Sequence, residues 1–153
     1  MQVRFQQEFL YDVKADIQRL LQMHWEEIAL NKDHIKLNPD WNAYENLEES
    51  GRLKIFTARS GEALVGYFVV LVGNNIHYKD HLFAVNDVIY LEPEYRKGMT
   101  GFRLIKAAEK WLKDDGVSVL SINTKVHKPF DLLLERLGFN LIERVYSKRL
   151  KDT

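Results

Sequence analysis

The residues with chemical potential gather in one stretch, "YLEPEYRKGMTGFRLI", residues 90–105. Two cations, Arg96 and Lys97, lead into Gly98 and Gly101, and an apolar-periodic segment follows at once. The start of a helix leaves backbone N–H groups without partners and carries a partial positive charge, so anions bind there. Glycine lets such an anion come close to the backbone, because no Cβ intervenes. The parts are those of a pyrophosphate cradle, and equally those of a plain turn. The spacing is not the G-x-x-x-x-G-K-S/T of a P-loop, nor the G-x-G-x-x-G of a dinucleotide site. A second residue stands out upstream. Asp87 interrupts the strand-like run "HLFAVNDVIYL", residues 81–91. Packing alone does not select a carboxylate there, so Asp87 serves either chemistry or the capping of a loop amide.

These residues need a scaffold, and the rest of the chain describes one. Val13, Ile17, Leu20, Leu21, His24 and Ile28 recur at helical spacing, which predicts an amphipathic helix over about 12–29 after a first strand in "MQVRF". A polar loop containing Pro39 follows, then a short helix in "DWNAYENLEES" with Asp40 as N-cap and Gly51 just past its end. "RLKIFTAR" and "ALVGYFVVLVG" read as hairpin strands joined at "SGE". "NNIHYKD" reads as a loop and "HLFAVNDVIYL" as the next strand. Leu104, Ile105, Ala108, Trp111 and Leu112 mark a helix, "VSVLSIN" a buried-type strand, and "PFDLLLERLG" a short helix closed by Gly138. "FNLIERVYSKRL" is expected as a final strand. The order β α α β β β α β α β predicts an α+β chain, a mixed sheet with helices on both faces and no linker, hence one domain over 1–153.

Composition narrows the function. The chain has 153 residues and 46% hydrophobic content, enough for a core without staples. It has no cysteine, which excludes disulfides and thiol catalysis. Lys+Arg and Asp+Glu balance at 22 each, so nucleic acid is not an expected partner. No apolar run reaches the length of a membrane span, and the first residues lack a signal-peptide pattern. A cytoplasmic protein without a membrane partner is expected.

The 90–105 stretch resembles the acetyl-CoA-binding motif of the GNAT N-acetyltransferases. In that family a strand ends in a V-x-P-x-Y-R-like stretch, followed by R/Q-x-x-G-x-G/A and a helix. Arg96 matches the first position of the loop and Gly101 its last glycine. Met99 occupies the place of the middle glycine, and Gly98 lies one position early. The element order is also that of the family, and "RLGF", residues 136–139, resembles its second landmark, a helix ending in G-F. The resemblance implies a three-layer α/β sandwich whose mainly antiparallel sheet has a splayed central strand pair. It implies acetyl-CoA as co-substrate, with no metal, and direct acetyl transfer to a primary amine on a small molecule or a protein. The pantetheine arm would lie along the backbone of Ile89, Tyr90 and Leu91. The amides of Lys97, Gly98, Met99, Thr100, Gly101 and Phe102 would hold the pyrophosphate, with Arg96 and Lys97 adding charge.

The same resemblance makes Asp87 the candidate base. An ordinary aspartate has a pKa of ~3.9, too low for efficient proton abstraction. Asp87 must therefore work through water, be raised by burial, or orient the ammonium. Many relatives carry a tyrosine acid four residues before the glycine of G-F, and here that position is Leu134. Two further motif positions fall on His127 and Phe130. The proton for the departing thiolate then comes from water, His127 or Tyr146, although His127 also reads as a surface histidine and Tyr146 as a packed aromatic. His24, Glu27, His34, Trp41 and Tyr44 are expected to wall the acceptor cleft, with His24 also readable as a hydrogen-bonded core histidine. His77 and His81 have a metal-like spacing but fall in a loop. These departures leave a second reading open, a non-catalytic acyl-CoA sensor or interaction module. A monomer or a homodimer fits either reading.

Overall fold

A computed structural model describes residues 2–151. One five-stranded sheet runs in the order β1 (Val3–Glu8), β2 (Leu53–Ser60), β3 (Ala63–Asn75), β4 (Tyr78–Leu91) and β5 (Val117–Ser121). The first four strands pair antiparallel in sequence order, and β5 joins β4 in parallel. The parallel step requires a crossover, supplied by α3 (Thr100–Asp114).

Alternation along the strands sorts the core into two layers. Leu53, Ile55, Tyr67, Val69 and Tyr90 face α1 (Leu10–Ile28), which contributes Leu10, Val13, Ile17 and Leu20, and Trp41, Tyr44 and Leu47 of α2 (Trp41–Glu49) close this layer. Phe56, Phe68, Val70, Val72 and Ala84 face the other way, onto Leu104, Ala108 and Leu112 of α3. Helices therefore cover both faces, and the α+β sandwich read from the sequence is the observed fold.

Local chemistry explains the ends of these elements. Asp40 caps α2 by accepting the Ala43 N–H at 3.0 Å. The first turn of α1 lacks a cap on its own element, and the Leu10 N–H donates to the Glu48 carboxylate at 2.8 Å. A negative group at that end is the favourable sign. The short helix α4 (Asp131–Arg136) ends at Gly138, which has a φ of 90°. The N–H groups of Gly138 and Phe139 return to the carbonyls of Glu135 and Leu134, the hydrogen bonding that a left-handed glycine permits after a helix.

Two expectations are corrected. "NNIHYKD" is not a long loop: β3 runs to Asn75 and β4 starts at Tyr78, so the hairpin reaches almost to its tip. Asn74 holds the tip by donating to the carbonyls of Lys79 and His81. The final strand in "FNLIERVYSKRL" does not form. Residues 140–151 carry no regular structure and are exposed, and no strand among the described residues pairs with them.

Candidate active site

The site begins where two strands separate. The β4–β5 ladder pairs Leu82 with Val117 and ends at Val85 with Ser121, yet β4 continues to Leu91. At the parting point a side chain replaces the ladder. Asn86 Oδ1 accepts the Asn123 N–H at 2.7 Å and its side-chain amide at 3.3 Å. Beyond it, β4 has a free side. The Glu92 N–H bonds to Val65 on β3, and backbone directions alternate along a strand. Leu91 and Ile89 therefore turn their N–H and C=O groups into the gap. The Leu91 carbonyl takes one donor there, Arg96 Nε at 2.7 Å.

A bulge sets Asp87. On the β3 side Val69 pairs with Val88 and Val70 with Asn86, so Asp87 is the extra residue. A bulge bends its strand and re-aims a side chain. Both Asp87 and Val88 consequently line a small cavity under α1 and α2, beside Leu10, Ile17, Leu21, Trp41, Tyr44, Ile55 and Val69. Asp87 is the only ionisable carboxylate in that lining. Its Oδ2 accepts the Tyr44 hydroxyl at 2.5 Å. Burial, and then this bond to Asp87, push the Tyr44 phenol above its ordinary pKa. Tyr44 thus stays a neutral donor that fixes the carboxylate, and Asp87 Oδ1 keeps its lone pairs for another donor.

The loop at the far end of β4 is built by its odd glycine. A 3-10 turn over Pro93–Tyr95 leaves the strand. Gly98 then adopts a φ of +78°, the left-handed region that glycine enters without cost. Met99 becomes the N-cap of α3 in an ordinary conformation and is partly exposed. The shift of the glycine by one position is a change in where the chain turns. Among the described residues, no acceptor takes the backbone N–H groups of Lys97, Gly98, Met99, Thr100, Gly101 or Phe102; the first helical bond starts at Arg103, to Met99. Gly101 lies against Leu133 of α4, 3.4 Å from where a Cβ would stand. Lys97 is exposed beside these donors.

Arg96 is placed differently from Lys97. Its guanidinium grips both oxygens of Glu27 on α1, at 2.9 and 2.7 Å, and lies over the Tyr90 ring at 5.3 Å. Arg96 hydrogen bonding holds the Glu27 carboxyl below the usual carboxylate range. A second pair, Arg19 with Glu92 at 3.5 Å, joins α1 to the same connection. Exposed ion pairs add little stability, but these two fix the wall formed by α1 relative to the loop. Sequence reading found Glu27 as a wall residue and Arg96 as a loop cation, and missed that they bind each other across 69 positions. No spacing rule signals such a pair.

His24 is buried, with Nδ1 3.1 Å from the Tyr67 hydroxyl and its ring stacked on Tyr90 at 5.0 Å. Burial lowers its pKa to about 4. His24 is thus a neutral core histidine beside the site. His34 is exposed on the loop after α1. His127 is exposed, with Nε2 3.0 Å from the Ile28 carbonyl at the end of α1. A carbonyl can only accept, so Nε2 carries the proton and ties the 124–130 loop to α1. Tyr146 is 90% exposed on the unpaired segment after α4, so the structure does not bring it to Asp87. Leu134, at the position of the absent tyrosine, is buried. His77 and His81 occupy a hairpin tip and a strand rather than one helix face, and His81 bonds to Ser118 at 2.9 Å. Among the described residues, no cluster of three His, Asp or Glu side chains is placed to hold a metal, and no helix is long and apolar enough to cross a membrane.

Comparison with known proteins places this geometry. No curated protein matches the chain. An aminoglycoside acetyltransferase from an uncultured soil metagenomic sample has the same fold, with a TM-score of 0.77 at 14% identity over 99% of this chain and 100% of that one. A ribosomal-protein-alanine N-acetyltransferase from Brucella melitensis biovar Abortus 2308 gives a TM-score of 0.72 at 20% identity, covering 98% and 100%. A predicted acetyltransferase from Clostridium acetobutylicum, solved with acetyl-CoA, gives 0.72 at 12% identity, covering 97% and 96%. Residues 15–139 match the family model described as the acetyltransferase (GNAT) family, and the chain belongs to that family.

Proposed function

We propose that the protein is an acetyl-CoA-dependent N-acetyltransferase that acts on a primary amine. The observation that carries this reading is the combination at the end of β4: a strand edge open toward β5, followed by six backbone N–H groups without an acceptor around Gly98. These residues fit the co-substrate. Ile89 through its backbone N–H and C=O, and Leu91 through its N–H, would bond the pantetheine arm, and the amides of residues 97–102 with Lys97 would hold the pyrophosphate. Arg96 keeps the loop in register through Glu27 and adds its field from there. Acetyl-CoA supplies the activated acyl group.

Asp87 takes the proton that the amine must lose before it becomes a nucleophile. Tyr44 holds the carboxylate toward the cavity, and the apolar lining limits water around it. A β4 backbone N–H in the gap would bond the thioester oxygen as negative charge develops on it. Leu134 cannot donate a proton, and the His127 Nε2 proton is committed to Ile28, so water protonates the departing thiolate. The test is release of free CoA from acetyl-CoA across a panel of amines. Acceptor-dependent release supports the reading. Binding of acetyl-CoA without release from any amine would favour the sensor instead, and no binding would remove both.

A further inference from the structure

Beside α2, the face of the sheet that carries Asp87 also holds a cation. A groove of about 250 Å³ opens there, between Leu47 of α2 and the β3–β4 hairpin. Its cation is Arg52, whose guanidinium lies on Gly73: Nη2 is 3.2 Å and Cζ 3.8 Å from where a Cβ would stand. The missing side chain leaves that seat open. Arg19, Arg59 and Arg96 each meet a carboxylate. Among the described residues none meets Arg52, and no acidic residue lines the groove. Asn75 adds a donor. Its side-chain oxygen accepts the His77 N–H at 2.8 Å, which leaves its amide N–H groups for a ligand. Toward Asp87, Leu71 pairs with Val85, two residues on from the Gly73–Phe83 pair, and both form an apolar floor. Val85 and Asp87 stand two apart on β4, and Tyr44 and Leu47 three apart on α2. The groove therefore adjoins the cavity that Asp87 and Tyr44 line.

We propose that the acceptor is a small ω-amino carboxylate, a methylene chain with a primary amine at one end and a carboxylate at the other, anchored by Arg52. The proposal rests on the acetyl-transfer reading of Asp87. The guanidinium and amide donors match a carboxylate, the apolar floor matches the methylenes, and Asp87 matches the ammonium. Strand geometry sets the length. Asp87 lies opposite the Val69–Val70 step, and Gly73 follows on the same strand, about 12 Å away at ~3.3 Å per residue. The two charged hydrogen bonds take up about 6 Å of this. An extended chain covers ~1.2 Å per bond, so about five or six bonds fill the rest. The α-amine of a free amino acid, two bonds from its carboxylate, does not reach. In the transfer, Asp87 accepts one proton of the ammonium. The N–C bond forms as the C–S bond breaks, and the second nitrogen proton reaches the departing thiolate through water.

The test measures CoA release from acetyl-CoA with 5-aminopentanoate, 6-aminohexanoate, alanine and hexylamine. The better ω-amino acid is expected to exceed both hexylamine, which lacks the carboxylate, and alanine at least tenfold in kcat/KM. Arg52→Gln should lower the preference over hexylamine by roughly tenfold or more, through KM rather than kcat. Arg52 is exposed, and circular dichroism checks that the variant keeps the fold. Gly73→Ala, which displaces the guanidinium, should lower the same preference severalfold. Hexylamine or alanine turned over as well as the ω-amino acids overturns the proposal and leaves the acetyl-transfer reading standing. A preference that survives Arg52→Gln also overturns it. Release with none of the four contradicts the acetyl-transfer reading, and calorimetry then judges the groove alone. Binding of 6-aminohexanoate that Arg52→Gln weakens tenfold supports the Arg52 anchor, and no binding overturns it.

Discussion

β4 has two seams, and they differ along the same residues. On the β3 side the ladder runs from Tyr78 to Leu91, broken mid-strand only by the bulge that turns Asp87, with a second irregularity near the hairpin tip. On the β5 side it ends at Val85. The continuous seam lies between the two apolar layers and includes Tyr67, Phe68 and Val70, all fully buried. The interrupted seam exposes backbone donors and acceptors and leads into the loop of free amides. The difference shows how one strand divides its tasks. Its paired side holds the sheet rigid, so that its unpaired side can present polar groups in fixed positions without collapsing onto them.

Asp87 joins the two seams, and changing it has the largest expected effect. Asp87→Asn keeps an acceptor for the Tyr44 hydroxyl but removes the proposed base. It should lower kcat roughly 10²–10⁴-fold and leave acetyl-CoA affinity within a factor of about two, read by steady-state kinetics and calorimetry. A full loss of co-substrate binding would place Asp87 in the loop's support rather than in the chemistry.

The pH response of the paired side comes next. His24 titrates near 4 in the folded protein and near ~6.5 when unfolded. Between those values the unfolded chain binds the proton and the folded one does not, so stability falls as pH drops from about 6.5 to about 4, and is complete above that window. The loss should approach about 3 kcal/mol. His24→Gln, which can still bond Tyr67, should flatten the profile, measured as the denaturant midpoint at each pH.

Two glycines then separate the seams directly. A Cβ at Gly66 would stand 2.9 Å from the Tyr90 carbonyl and 2.5 Å from the Leu91 side chain. Gly66→Ala should therefore strain the paired seam and reduce stability by about 2 kcal/mol. At Gly98 a Cβ meets nothing, but the φ of +78° is costly for alanine, by about 1 kcal/mol. Gly98→Ala should weaken acetyl-CoA binding by about fivefold and change the melting temperature little. If Gly98→Ala instead behaves like Gly66→Ala, the loop belongs to the stability of the fold rather than to its site.

Much of this was legible in the sequence because it depends on local rules. Helical periodicity placed α1 and α3 to within two residues for α1, and Asp40, Gly51 and Gly138 marked helix ends through chemistry confined to one turn. The loop after β4 was visible because cations, glycines and a helix start follow one another. What stayed hidden is long-range. The bulge that turns Asp87 follows from how Val69 and Val70 meet β4, and the Tyr44–Asp87 bond spans 43 positions. Arg96 read as a free cation because nothing in "EYRKG" announces Glu27. The last strand failed for a related reason. Its pattern is that of a strand, but a pattern cannot say whether a neighbour exists to pair with it.

In the proposed function acetyl-CoA binds along the open seam and the free amides that follow it. Backbone amide chemical shifts, followed by heteronuclear NMR during titration with acetyl-CoA, test this residue by residue. Saturable shifts are expected at residues 97–102 and at Ile89 and Leu91, with the amides of β2 and the N-terminal half of β3 unchanged. Shifts concentrated elsewhere, or none at saturating acetyl-CoA, would contradict it.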